Sequence, residues 1–308
     1  MVKNFKKIGV YLGSGALTAL FRGVSLLPFR ALYALADGLA WLAHDVVRYR
    51  RKVVADNLRL AFPEKSESER RNIARGYYRF LADYIFETAK MSGMRPSTMK
   101  ERMRFEGFEA LDRVFAEGRS VVVYLGHYGN WEWISSMPLH LPGDVVAGQI
   151  YHPLENEAFD RAFLRLRGRF GAVSIPMKQT LRQLLEWRRE GRKSITGFIS
   201  DQAPILESIQ LWVEFFGQDT PVFTGAERMA RKLGAAVYYF DVERPERGRY
   251  VCRMVEMAPD ARAVPEGELT RDYYRRLEQT IRRRPELWLW SHRRWKRTRK
   301  MWEDWKKN

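Results

Sequence analysis

His127 and Glu132 have the residue types for acid–base chemistry, and they lie five apart in the stretch Gly126-His127-Tyr128-Gly129-Asn130-Trp131-Glu132-Trp133. On a single helix that spacing sets them about 140° apart, so they would not meet. A turn at Gly129 changes this. If the histidine closes a strand and the glutamate opens a helix, the two side chains fold together. A carboxylate bonded to one ring nitrogen fixes the imidazole tautomer and makes the other nitrogen a better base. The same pair could equally staple a loop, and the spacing alone leaves both readings open.

The elements needed to hold such a pair are legible on either side of it. Val121-Val122-Val123-Tyr124-Leu125 is an unbroken apolar run of strand formers, which reads as a strand buried on both faces. Asn130 suits an N-cap, and Glu132 then lies in a first helical turn, where the dipole favours a carboxylate. From residue 104 onward strands and helices alternate. Strands are expected over 120–126, 145–151, 172–175, 193–200, 211–216, 235–243 and 250–257, and helices over 108–117, 130–139, 155–170, 178–190 and 224–233. Such alternation means an α/β fold, a mainly parallel central sheet covered by helices on both faces. Ligands of these sheets bind beyond the carboxyl ends of the strands. His127 sits at one such end and Asp201 at another, which points to a shared site.

The chain of 308 residues can bury a large core. Its formal net charge of +17 favours polyanions: nucleic acid, anionic lipid headgroups or an acidic protein. Cys252 is the only cysteine, which excludes a disulfide framework and a cysteine metal cluster. Its alternating strand context reads as a buried structural thiol. No two histidines have metal-ligand spacing. There is no Gly-x-Ser-x-Gly nucleophile elbow, Ser14 lying in an N-terminal apolar stretch, and there is no phosphate loop. No metal and no cofactor are therefore expected.

Lys3, Lys6 and Lys7 precede an apolar stretch, 8–21, and a second, 23–47, is interrupted by Pro28, Arg30, Asp37 and His44. A membrane-spanning helix needs about 20 apolar residues. A signal peptide, a spanning helix and an interfacial helix compete here, and a retained N-terminal membrane anchor is favoured, with Phe21, Arg22, Phe29, Arg30, Tyr33 and Trp41 at the interface. Residues 1–47 are thus read as the anchor, 48–103 as a helical subdomain and 104–308 as the catalytic region. Ser66 and Glu69 form a capping box that opens a long helix to Met91, with Ile73, Tyr77, Phe80, Leu81, Tyr84 and Ile85 as its core stripe. The tail, 282–308, interleaves basic residues with Trp288, Trp290, Trp295, Trp302 and Trp305. That pattern suits nucleic acid or a membrane interface. The basic N-terminal segment tips the balance to the membrane, and no nucleic-acid partner is expected.

The block Gly126 to Trp133 resembles the late acyltransferases of lipid A biosynthesis, within the larger group of lysophospholipid and glycerolipid acyltransferases. Further blocks agree in order: Tyr151-His152-Pro153-Leu154-Glu155-Asn156 leading to Arg161 and Arg165-Leu166-Arg167; Ser200-Asp201-Gln202; Phe215-Phe216-Gly217 followed by Thr224-Gly225-Ala226-Glu227-Arg228; and Pro285-Glu286-Leu287-Trp288-Leu289-Trp290-Ser291-His292-Arg293-Arg294-Trp295-Lys296. The loop after Gln202, Ala203-Pro204-Ile205-Leu206-Glu207-Ser208, departs by lacking the glycines the resemblance implies.

The resemblance implies transfer of a fatty acyl group from a thioester, carried on acyl carrier protein, to a hydroxyl of a lipid A precursor, on the cytoplasmic side of a bacterial inner membrane. His127 is then the general base, oriented by Glu132, and Arg161 or Arg167 stabilises the oxyanion together with backbone N–H groups near Gly129. Asp201 positions the acceptor, pairs with an arginine or serves as a cap. Asn130 shapes the turn, and Gln202 is a substrate-binding candidate. The implied partners are acyl carrier protein, the lipid acceptor and an anionic membrane surface. The alternatives are another lipid acceptor, such as an aminoacyl lipid or a phosphoinositide mannoside, and a non-catalytic lipid- or carrier-binding protein.

Overall fold

A computed structural model describes residues 2–307, with side chains from residue 13 onward. The side chains of Lys3, Lys6 and Lys7 lie outside the described residues. In chain order the elements are α1 (Val2–Leu26), α2 (Phe29–Trp41), α3 (Arg51–Ala61), α4 (Glu67–Met91), α5 (Pro96–Arg102), β1 (Met103–Glu106), α6 (Leu111–Ala116), β2 (Val121–Leu125), β3 (Val146–Tyr151), α7 (Glu157–Arg167), β4 (Val173–Pro176), α8 (Thr180–Arg189), β5 (Ser194–Ile199), β6 (Leu211–Phe215), β7 (Gln218–Val222), α9 (Gly225–Leu233), β8 (Ala236–Glu246), β9 (Arg249–Ala258), α10 (Glu268–Arg283) and α11 (Arg299–Lys307).

Seven strands form one sheet in the order β1-β9-β8-β2-β5-β3-β4. Every pairing is parallel except β8 with β9, which are joined by a short turn at Gly248. The continuous apolar run of β2 has its explanation here: the strand lies between β5 and β8, and all five of its residues are buried. The α/β expectation holds. Helices α3 and α4 share one continuous apolar core with the sheet, through Val54, Leu58, Tyr77 and Phe80.

Three expectations are corrected. The stretch 130–139 is not an α-helix but a 3-10 helix, Trp133–His140, with Pro138 inside it; proline cannot donate to a helical ladder and clashes with the preceding turn. Strand β6 leaves the main sheet and pairs antiparallel with β7 in a separate hairpin. β7 reads Gln-Asp-Thr-Pro-Val, a poor strand sequence that became one through its partner. Ile85 is 48% exposed, because α4 buries Asp83, Glu87 and Thr88 on the flank facing α2 and the sheet. The capping box of α4 is present: Glu69 N–H donates to Ser66 Oγ at 3.3 Å and Ser66 N–H to Glu69 Oε2 at 2.7 Å.

Among the described residues no single helix is long and apolar enough to cross a membrane; 13–26 of α1 and 29–46, α2 with its π-helical extension, reach that length and composition only together, bent by 115°. Trp41 is 61% exposed. Other residues expected at a membrane interface have partners within the protein: the Phe21 ring meets Phe163 of α7 at 6.0 Å, the exposed Arg22 donates to the Ser92 carbonyl at 2.8 Å, and the half-buried Tyr33 hydroxyl donates to Glu87 at 3.1 Å. The tail is likewise not a free basic arm. Trp288 and Trp290 are core residues, Trp295 donates to Thr220 at 2.9 Å, and Trp302 packs on Trp212.

Candidate active site

β2 ends at Leu125, and Gly126 takes the chain over the end of β5. A Cβ at Gly126 would lie 2.8 Å from a Leu277 methyl of α10 and 3.4 Å from an Asp201 carboxylate oxygen, so a side chain there would have to displace the Leu277 methyl. His127 follows. Its Nδ1 lies 2.6 Å from Asp201 Oδ1, and its backbone N–H donates to Asp201 Oδ2 at 2.9 Å. Trp288 Nε1–H donates to the same Oδ2 at 2.8 Å. The loop is also fixed through its backbone: Leu289 N–H donates to the His127 carbonyl at 3.1 Å and Gly129 N–H to the Leu287 carbonyl at 3.0 Å. The segment around Trp288 therefore pairs with the histidine loop and holds the acid beneath it.

Asp201 is buried, which by itself raises a carboxyl pKa; the charge and hydrogen bond of His127, the Trp288 indole and the His127 amide outweigh this and carry it down to about 2. It is ionised at neutral pH and can only accept. His127 Nδ1 therefore carries the proton, and Nε2 presents its lone pair. Gln202 Nε2 lies 3.4 Å from that nitrogen.

The ring nitrogen expected to bond Glu132 is thus bonded to Asp201. Glu132 is buried and held by a two-pronged contact from Arg167, Nε to Oε2 at 2.8 Å and Nη2 to Oε1 at 2.6 Å. The reason is local. The 3-10 turn points Glu132 toward the end of α7, while the loop points the ring at β5. The Tyr84 hydroxyl reaches Glu132 at 3.5 Å, and the Tyr84 ring stacks on Trp131 with centroids 4.0 Å apart.

Asn130 is fully buried and is not among the residues lining the cavity at His127. Its amide donates to Glu87 at 2.8 Å and its carbonyl accepts from Trp133 N–H at 3.1 Å. Burial pushes the Glu87 carboxyl upward, and Tyr250 also donates to it, at 2.9 Å. The Gly129 N–H, expected to serve an oxyanion, is taken by Leu287. Arg161, one helical stretch before Arg167 on α7, is not among the residues lining the site. Sequence reasoning missed the roles of Tyr84, Glu87 and Trp288. Tyr84 and Glu87 are one turn apart on a helix read only for its apolar stripe, and Trp288 carried no signal beyond its place in a matched block.

His127, Glu132, Arg167 and Gln202 form the polar end of a cavity of about 400 Å³. Ser135, Gln149, Tyr151 and His152 also line it, and most of the remaining wall is apolar, with Leu125, Ile134, Met137, Ile150, Ile199 and Phe223. The arrangement offers a base, a cation locked by a carboxylate, and a greasy recess beside them. A larger cavity of about 800 Å³ lies away from His127, between α2, α4 and the end of β8. There Arg244 and Arg247 are already paired with Asp83 and Asp37, so it offers no comparable chemistry. Among the described residues no group of His, Cys, Asp or Glu could hold a metal ion.

The family model for bacterial lipid A biosynthesis acyltransferases matches residues 3–297. A lipid A biosynthesis acyltransferase of Haemophilus influenzae is 24% identical over 285 residues, covering 92% of this chain and 86% of the relative. The lipid A biosynthesis lauroyltransferase of Escherichia coli is 26% identical over 292 residues, 93% of this chain and 90% of the relative. The palmitoleoyltransferase of the same organism is 25% identical over 277 residues, 88% and 86%.

Proposed function

The chain belongs to the family of bacterial lipid A biosynthesis acyltransferases, and on that footing we propose that it moves a fatty acyl group from an acyl carrier protein thioester to a hydroxyl of a lipid A precursor. The observation that carries the mechanism is the His127–Asp201 pair at the mouth of an apolar cavity. His127 Nε2 takes the proton of the acceptor hydroxyl as its oxygen attacks the thioester carbonyl. Asp201 holds the ring in the productive tautomer and stabilises the imidazolium that forms. The tetrahedral intermediate bears an oxyanion, and Arg167, positioned by Glu132, is the cation beside it. Collapse expels the thiolate, which takes the proton back from His127. The acyl chain occupies the recess lined by Ile134, Met137 and Ile150. Gln202 borders the hydroxyl's approach.

The bent pair α1–α2, with Leu20, Leu26, Leu35 and Trp41 exposed, is the surface that meets the membrane, lying in one leaflet or re-entering it. The basic balance of the chain suits both that surface and an acidic carrier.

The test is acyl transfer by purified protein in detergent from acyl carrier protein to a lipid A precursor, followed by mass spectrometry of the lipid. His127→Ala is expected to lower the rate by about 10³-fold or more. Full activity of that variant would sink the mechanism, and addition of no acyl mass by the wild type would sink the substrate assignment.

A further inference from the structure

The recess beside His127 has a floor of small residues, and one of them is a glycine that the backbone does not require. β5 reads Ser-Ile-Thr-Gly-Phe-Ile and lies between β2 and β3. A glycine inside such a strand weakens it, because it has no side chain to pack and loses the most conformational freedom on folding. Gly197 is not among the glycines with positive φ, so its conformation is open to other residues. A Cβ there would come near only a Leu125 methyl, at 3.3 Å, and the Gly148 carbonyl, at 4.0 Å. Beyond that Cβ lies the recess itself. Interior strand glycines of this kind occur where a ligand passes close to the sheet.

The strand register gives the depth of each floor residue, because side chains alternate between the two faces. Leu125 pairs with Ile199 at the strand ends beside His127. Gly197, two residues back, faces the same side and pairs with Val123 and with Gln149. Ala147 pairs with Ile195, two residues further back, and is the deepest strand residue of the wall. At about 3.3 Å per residue, Gly197 lies about 7 Å and Ala147 about 13 Å below the strand ends. Met137 lines the same recess from the 3-10 helix, about 10 Å along it from Glu132. Gln149 is the polar residue at the depth of Gly197, and its amide is tied to β4, donating to Ser174 Oγ at 3.0 Å.

We propose that this floor measures the acyl chain of the donor. With the thioester carbonyl at His127, the chain runs down over Gly197, and its methyl end stops at Ala147 and Met137. The proposal rests on the acyltransferase reading of the His127 centre. A C–C bond of about 1.5 Å at a near-tetrahedral angle advances an extended chain by about 1.25 Å, so a depth of about 13 Å takes roughly ten methylenes. Adding the carbons that reach up to His127, a donor of roughly 10–14 carbons fills the recess. A longer chain must buckle or leave methylenes in water, and a shorter one leaves the deep wall without contacts.

The test is a competition between donors. Full-length protein in detergent is offered an equimolar mixture of carrier-protein thioesters of eight to sixteen carbons with one lipid A precursor, and the masses added to the lipid are read by mass spectrometry. The melting temperature of each variant shows that it is folded. Ala147→Leu fills the deep end and is expected to lower the ratio of twelve-carbon to eight-carbon product by about tenfold or more. Gly197→Val blocks the floor at half the depth and shortens the preferred chain further than Ala147→Leu does. Met137→Ala opens the deep end and moves the preference to longer chains. General damage to the fold cannot produce opposite shifts from filling and emptying the same space. A wild type that prefers the sixteen-carbon donor, or one preferred length shared by the wild type and every folded variant, would overturn the proposal. So would a raised KM for the acceptor with the donor preference unmoved, since the recess would then hold a chain of the acceptor. No product of any length from the wild type would instead overturn the acyltransferase reading.

Discussion

Two carboxylates stand near His127, and their partners separate their roles. Asp201 accepts from the His127 ring, the His127 amide and the Trp288 indole. Glu132 accepts from both prongs of Arg167. Asp201→Asn should therefore abolish the low-field Nδ1–H proton resonance of His127 and lower kcat by roughly 10³–10⁴-fold, since an amide no longer selects the productive tautomer. Glu132→Gln should keep that resonance. Loss of the resonance in Glu132→Gln, with its persistence in Asp201→Asn, would reverse the assignment. Arg167 carries a separate expectation. Arg167→Ala leaves Glu132 buried and unpaired, a destabilisation of about 2–3 kcal/mol once the part exposure of the guanidinium is allowed for. Arg167→Lys keeps the charge but loses the fork, so it should recover much of the melting temperature while kcat stays down by about 10²-fold. A Lys variant with wild-type kcat would mean that the planar fork is not needed.

The catalytic loop is held by elements that come to it from far along the chain. Gly129 adopts φ of +61°, and a Cβ there would meet a Val242 methyl of β8 at 2.9 Å. Gly129→Ala should cost about 1–3 kcal/mol from backbone strain and crowding combined, read as a drop in melting temperature, and should lower kcat as well because the loop carries the base. Unchanged stability would mean that the loop is not clamped. From beneath, α4 braces the same loop at two points one turn apart, Tyr84 against Trp131 and Glu87 against Asn130. From above, residues 287–289 pair with 127–129. The apolar stripe of α4 was legible as a periodicity, and its capping box as a spacing. Its polar flank was not, because a buried Glu87 looks like a solvated charge until the groups that satisfy it are in place.

Across the whole molecule the C-terminal segment closes the site, and its titration should appear in stability. Burial, with the neighbouring cations, holds His292 down to about 4, against an ordinary value near 6.5, even though the Asp201 charge opposes this. Between those values the unfolded chain binds a proton that the folded chain does not, so stability rises with pH across that window and is lost as pH falls from about 6.5 toward 4. Allowing for its part exposure, the loss is about 1–2 kcal/mol. The urea midpoint should fall between pH 7 and pH 5 in the wild type and by less in His292→Gln; an equal fall in both would remove His292 as the cause. The sequence by itself determined the α/β alternation, the buried strand β2, the position of His127 at a strand end and the resemblance to an acyltransferase family, because strand periodicity, turn glycines and short motifs are local properties of a chain. The acid that pairs with His127 was decided only by the tertiary structure. Asp201 is 74 residues away in sequence and adjacent only because β2 and β5 are neighbours in the sheet. The same holds for the tail, whose tryptophans read as an interface in composition, whereas Trp288 and Trp290 are core, Trp295 and Trp302 are half-buried and Trp305 stays exposed. Burial depends on what packs against a residue, and no local pattern of charges and rings records that.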